Sequence, residues 1–315
     1  MNTEKQLLLS KFRQLVLKSH AGPRFEHRLR RLLVRLGILS LARSQYVTDW
    51  VDMLQIPMME KILNAHPRLS DKAFRPYIHC GMPTDKRHRA VIDQYKWLLT
   101  HLNPQLLEQV FLGNGAEVGR FSLEDGSFYH LVIKHLPRFD MEGEFTLCLV
   151  RGSDNKDIFY LTFALMHAGE EIHGYIGGLQ GGQDSAEQIR EITRHMHGLR
   201  PPAILLFTLR ELLRHAGITR LLAVRNASHV YRCLSFKSDR KRRIQMDYES
   251  IWMESGGTVL ASNPKFVELP LETVDRPLEE VPSKKRAMYR RRQQFLRELG
   301  EAIHVNILQL TEKPG

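Results

Sequence analysis

The sequence predicts an α+β fold: a helical N-terminal region followed by a mixed, mainly antiparallel sheet with a βαβ crossover. Three observations carry that expectation. Apolar residues recur at helical spacing through most of residues 1–111. They alternate at a spacing of two between 116 and 179. A strong helical pattern at 202–215 then leads into one more short apolar run at 219–225. A period of 3.6 marks one face of a helix and a period of two marks one face of a strand, so the change of period is a change of element.

Taken in order, Leu29, Leu32, Leu33 and Leu36 share a helical face, with Arg28, Arg31 and Arg35 beside it. Such a helix either packs on a core with its basic face in water or lies on an acidic membrane surface. Residues 50–63 form a second amphipathic segment, closed near Asn64-Ala65-His66-Pro67. Arg75 precedes a proline and is expected to be extended. A helix is predicted over 91–102, and Asn103-Pro104 opens another over 105–112.

The β pattern starts at residue 116. Segments 116–121 and 127–133 flank the hairpin turn Leu123-Glu124-Asp125-Gly126. Phe145, Leu147 and Leu149 alternate along a strand, residues 151–157 are turn chemistry, and strands follow over 158–166 and 172–179. Glycines come next, then the helix at 202–215 with Gly217 as its stop, then a last expected strand at 219–225. Beyond it lie a basic run at 237–243, a segment at 244–252 that reads as strand or helix, and an acidic stretch broken by Pro270, Pro277 and Pro282. The final helix, 284–302, opens with Lys284, Lys285, Arg286, Arg290, Arg291 and Arg292. This divides the chain into a helical region (1–112), an α/β core (113–260), and an extended segment with a basic helix packing on that core (261–315).

The 315 residues suffice for a substantial core, and 43% apolar with 26% charged residues is ordinary for a water-soluble chain. A net charge of +11 favours an anionic neighbour: an acidic lipid surface, a phosphorylated cofactor or nucleic acid. Nucleic acid is disfavoured, because only Tyr289 interrupts the C-terminal cationic cluster and no recognition motif frames it. Three distant cysteines, Cys80, Cys148 and Cys233, argue against a disulfide scaffold or a zinc site. The N-terminus shows no secretory pattern, and no apolar run is long enough to span a bilayer. The expected location is cytoplasmic, peripheral at the inner membrane, with an acidic lipid surface or an envelope-assembly protein as partner.

Candidate chemistry sits in four places. Gly174, Gly177, Gly178, Gly181 and Gly182, with Gln180 among them, allow backbone N–H groups to approach a phosphate. Arg200 precedes Pro201-Pro202 at the start of a helix, a natural place for a phosphate contact. Glu142 and Glu144 stand at a strand entrance, where a carboxylate either takes a proton from an amine or serves as a solvated edge. His195 and His197 suit a structural or general-base role, and no metal site is expected of them because a third ligand at close spacing is missing.

The order of meander and crossover resembles the N-acetyltransferase-like (GNAT) fold. Gln180-Gly181-Gly182 matches part of that family's pyrophosphate pattern, and Asn226 followed by Tyr231 resembles its asparagine–tyrosine signature in compressed form. The resemblance implies acyl-CoA as cofactor, held by Gln180, Gly181, Gly182 and Arg200. It implies Glu142 or Glu144 as base and Tyr231 as the acid at the leaving thiolate. Five further phrases are similar to the VirK/YbjX family of Gram-negative bacteria: Met141-Glu142-Gly143-Glu144, Tyr175-Ile176-Gly177-Gly178-Leu179-Gln180-Gly181, His197-Gly198-Leu199-Arg200-Pro201, Asp247-Tyr248-Glu249-Ser250-Ile251-Trp252 and the cationic run from Lys284 to Arg292. That resemblance implies a setting in virulence, antimicrobial-peptide resistance or envelope homeostasis, and supplies no active site. Two functions follow as expectations: an acyl-CoA-dependent N- or O-acyltransferase, or a non-enzymatic accessory protein that docks on acidic membrane or a partner.

Overall fold

The computed structural model describes residues 44–233, 246–272 and 277–311, together with Ser10 and Gln14. The amphipathic segment at 29–36 and the basic run at 237–243 lie outside the described residues.

Helix α1 (Ser44–Leu54) buries Val47, Trp50, Val51 and Leu54, the i, i+3, i+4, i+7 set of one face. The expected helical segment at 50–63 is in fact two helices. Pro57 forces Ile56 into extended backbone, and α2 (Pro57–Ala65) starts afresh on the proline. A 3-10 segment, Pro67–Phe74, follows and is tied to α1 by the Trp50 indole, which donates to the Ser70 carbonyl at 3.0 Å. Helix α3 (Thr84–His101) buries Val91, Tyr95 and Leu98 and packs on the sheet. Asn103 caps α4 (Pro104–Phe111), its side chain accepting from the Gln105 N–H at 2.8 Å.

Among the described residues the sheet has eight strands: β1 (Ala116–Ser122), β2 (Phe128–Lys134), β3 (Phe145–Arg151), β4 (Lys156–Ala168), β5 (Glu171–Gly181), β6 (Leu221–Val224), β7 (Thr258–Val259) and β8 (Phe266–Leu269). Their spatial order is β1-β2-β3-β4-β5-β6-β8-β7. The first five form an antiparallel meander, as the alternating pattern predicts. Strands β5 and β6 are parallel and are joined through α5 (Ala186–His195) and α6 (Pro201–His215), which is the expected crossover. The fold is therefore α+β, with a helical N-terminal region and a mixed, mainly antiparallel sheet with a βαβ crossover.

Past β6 the structure decides for helix in the segment that reads as strand or helix, and adds two strands. Residues 248–254 are a helix, α7 (Tyr248–Glu254), and two further strands follow it. Strand β8 inserts between β6 and β7, antiparallel to both. A core boundary at residue 260 thus falls between two strands of one sheet, and the core reaches Leu269. The last helix, α8 (Ser283–Thr311), is longer than the expected 284–302 and packs on β1 and α6 through Leu299 and Ile303.

Candidate functional site

The parallel pairing of β5 and β6 spans only Gly174–Ile176 against Leu221–Ala223. Beyond that the two strands part: β6 gives way to two 3-10 turns, Asn226–Ser228 and Val230–Arg232, and β5 continues through Gly177 and Gly178. The loop preceding β3 lies against those glycines. A Cβ on Gly177 would sit 2.0 Å from the Glu142 carbonyl oxygen, and one on Gly178 would sit 2.1 Å from Glu142 Oε2. Glycine is required here so that another segment can approach the strand.

Glu142 is buried at this place. Its Oε2 lies 3.4 Å from Gln180 Nε2 and its Oε1 3.5 Å from His229 Nε2. Burial, then the neighbouring Asp140 charge, pushes its carboxyl well above the usual carboxylate range. His229 is also buried, and burial followed by the Arg232 charge lowers it to about 3. His229 is therefore neutral at neutral pH, and burial favours the protonated form of Glu142, since removing either group from water disfavours its charged form. The Tyr248 hydroxyl closes the group by accepting from the Leu179 N–H at 3.0 Å. Tyr248 is positioned by Asn226, whose Oδ1 accepts from the Tyr248 N–H at 2.6 Å while its amide donates to the Met246 carbonyl at 2.6 Å. The Trp252 indole pins α7 to β6 through the Val224 carbonyl, 2.9 Å away.

Glu144 has a different environment. Its Oε1 is 2.7 Å from Lys72 Nζ, and its Oε2 accepts from the Tyr77 hydroxyl. Lys72 also donates to the Asp140 carbonyl at 2.5 Å, and Arg75 Nη1 pairs with Asp140 at 2.8 Å. Burial alone would raise the Asp140 carboxyl, but the Arg75 and Lys72 charges outweigh it and hold it low. Both Glu144 oxygens are thus engaged in a buried ionic network that fastens the 3-10 segment to the start of β3.

The remaining sequence candidates are spread around this group. The Tyr231 hydroxyl donates to the Arg138 carbonyl at 3.2 Å, and its ring lies 5.3 Å from that of His229. Gly181 faces Ile189 of α5, and Gly182 is pressed against the Asp157 carbonyl of β4. Arg200 caps α6 from an exposed position, paired with Glu254 of α7. The first two residues of α6 are prolines without N–H groups, and the Ala203 N–H bonds the Arg200 carbonyl at 2.9 Å. The structure therefore brings together Glu142, Gln180 and, through His229, Tyr231; it holds Glu144 and Arg200 in ion pairs apart from them.

His195 finds partners that spacing could not reveal. Asp125, from the β1–β2 turn, Glu191, one turn earlier on α5, and His195 have ligand atoms within 4.8 Å of one another. His195 Nε2 is 3.6 Å from Asp125 Oδ2, and Asp125 already accepts from the Ser127 N–H and hydroxyl. Sequence reasoning missed His229, Tyr248, Lys72 and Tyr77. Tyr248 stands in one of the five phrases shared with the VirK/YbjX family, which was the available signal; a buried lysine carries none.

Residues 26–304 match the model of the family described as "Protein of unknown function (DUF535)". The uncharacterized protein YbjX of Escherichia coli is 26% identical over 91% of this chain and 87% of its own length. A Mannheimia haemolytica protein named membrane protein LapB is 29% identical over 66% of this chain and 84% of its own length. Among solved structures, a variant of the cAMP-binding acyltransferase from Mycobacterium smegmatis aligns with a TM-score of 0.30 and 11% identity. That alignment covers 72% of this chain and 63% of the other, a likeness too slight to bear on function.

Proposed function

The chain belongs to the DUF535 family, of the VirK/YbjX type, and from that membership we propose that it is a non-enzymatic accessory protein of envelope physiology that docks on acidic membrane. One observation carries the reading. The groove where β5 leaves β6, in which the resemblance would seat an acyl carrier, is filled by the protein itself. Tyr248 takes the free Leu179 N–H, and Glu142 covers Gly177 and Gly178. The start of α6, with its two prolines, offers no N–H from either of its first two residues.

Docking falls to α8. Lys284, Lys285, Arg290 and Arg291 are exposed and make no ion pair among the described residues. Each basic side chain near an acidic surface contributes roughly 1 kcal/mol, so neutralising two should weaken binding about thirtyfold. The test is sedimentation with vesicles containing acidic lipid. Binding that falls with salt and falls again in Arg290→Gln/Arg291→Gln is the expected result. Vesicle binding indifferent to both rejects the reading, and a folded protein that ignores vesicles points to a protein partner instead.

One observation favours a second reading, acyl-CoA-dependent N- or O-acyl transfer: Glu142, Gln180 and Tyr231 gather at the end of β5. On this reading Glu142, in its carboxylate form, would take the amine or hydroxyl proton, and Tyr231 would protonate the leaving thiolate. Calorimetric titration with acetyl-CoA and with a long-chain acyl-CoA separates the two readings. Saturable binding supports transfer; none supports docking. Either way the setting implied by family resemblance is virulence, antimicrobial-peptide resistance or envelope homeostasis.

A further inference from the structure

A cavity of about 870 Å³ opens between the start of α3, the β4–β5 turn and the near ends of β6 and β8. It reaches β5 at His173 and Tyr175, ahead of the glycines that Glu142 covers, and none of the residues considered above as catalytic or cofactor-binding lines it. Its size is that of a small-molecule site.

The wall is divided by chemistry. Four cations line it: Lys86, Arg89, Arg220 and Lys265, against a single carboxylate, Asp93. Arg220 is matched by Glu268 at 2.7 Å, but Lys86, Arg89 and Lys265 make no ion pair among the described residues. Lys265 matters most, because it is half-buried. Its ammonium lies 3.7 Å from where a Cβ on Gly81 would stand. A half-buried cation without a counter-charge is costly unless an anion arrives to meet it. The floor is apolar and aromatic. Tyr175 and Phe266 meet edge to face with centroids 5.5 Å apart, beside Met166 and Leu222. His79 stands edge-on to Phe266 at 5.2 Å, its Nδ1 held 2.8 Å from the Cys80 carbonyl. Burial first, then the Lys265 charge, lowers the His79 pKa, so this imidazole offers hydrogen bonding rather than further charge.

We propose that this cavity binds a phosphorylated small molecule, with the phosphates on Lys265, Arg89 and Lys86 and a flat or apolar group on Tyr175 and Phe266. Inorganic anions would satisfy only the cations, whereas the volume and the aromatic floor call for a larger ligand. The phosphates could belong to a free metabolite or to a lipid headgroup, and the two share the same recognition. The inference does not rest on docking through α8.

Calorimetric titration of the full chain with ATP and with inorganic pyrophosphate at low salt provides the test. ATP is expected to bind at least tenfold more tightly than pyrophosphate, and Lys265→Gln is expected to weaken ATP at least tenfold without lowering Tm. Arg290→Gln/Arg291→Gln should leave ATP affinity unchanged. Absence of saturable binding by either probe, or equal ATP affinity in a folded Lys265→Gln protein, overturns the site. Equal affinities for ATP and pyrophosphate overturn the role of the aromatic floor. Vesicles of phosphatidic acid then identify the source. If ATP releases the protein from them, the headgroup enters the cavity. If vesicle binding ignores both ATP and Lys265→Gln while ATP binding persists, the ligand is a free metabolite and the membrane contact belongs to α8.

Discussion

Lys72 and Glu144 meet at 2.7 Å with their side chains 3% and 0% exposed, so an ammonium and a carboxylate from two segments 72 residues apart face each other with almost no water. The pair joins the helical N-terminal region to the sheet, and Tyr77 supplies a further bond to the same carboxylate. A buried pair of this kind does not add much stability relative to apolar side chains of similar shape, but losing one partner strands the other.

Lys72→Met should therefore cost about 3–5 kcal/mol in urea unfolding. Adding Glu144→Gln removes the stranded charge while leaving an acceptor for Tyr77, and should recover most of that loss. A double variant as unstable as the single would mean that packing, not charge, explains the defect.

At the other carboxylate, the two glycines of β5 should behave differently. Gly178→Ala meets the Glu142 side chain and Gly177→Ala meets its main-chain carbonyl. Each should cost about 1–3 kcal/mol or more through overpacking. Glu142→Ala should rescue much of the Gly178→Ala defect and little of the Gly177→Ala defect, in a double-mutant cycle read by thermal unfolding.

Stability should fall with acid from the ordinary histidine range downward. His229 is lowered to about 3, by burial and then Arg232, and His135 to about 3, by burial and then Lys72. Unfolded histidines bind protons below about 6.5 while these two do not until about 3. Each therefore removes about 1.4 kcal/mol per pH unit across that window. Glu142 acts in the opposite sense. Its folded pKa is raised, so its contribution is complete below the usual carboxylate range and is lost as pH rises towards the folded value. His229→Gln should flatten the acid limb, and Glu142→Gln should steepen it above the usual carboxylate range. Urea midpoints across pH measure both.

Arg200→Ala should change stability by no more than about 1 kcal/mol, because its pair with Glu254 is exposed on both sides. On the docking reading it also leaves the response to acyl-CoA unaltered. A large loss of acyl-CoA binding in this variant would restore Arg200 to a ligand site.

Legibility in the sequence followed locality. Phe145, Leu147 and Leu149 announce β3 because alternation is contained within one strand, and the β1–β2 turn is spelled out by residues 123–126. Strand β8 escaped notice because four residues beside a proline carry too little periodicity, and its place is decided by pairing with β6, more than forty residues earlier. Side chains behave the same way. The cluster of glycines was visible, but what lies on Gly177 and Gly178 was not, since Glu142 comes from a separate loop. Lys72 looks like any surface lysine until Glu144 is placed beside it. Asp125 likewise becomes a neighbour of His195 only through the fold.

The insertion of β8 also governs the order in which the molecule can be completed during synthesis. When β7 leaves the ribosome it has no strand to pair with, and β6 presents an open edge until residues 266–269 emerge. A nascent chain halted near residue 260 would therefore expose backbone able to recruit another copy. Completion of this edge of the sheet, and with it protection from self-association, waits for residues 266–269.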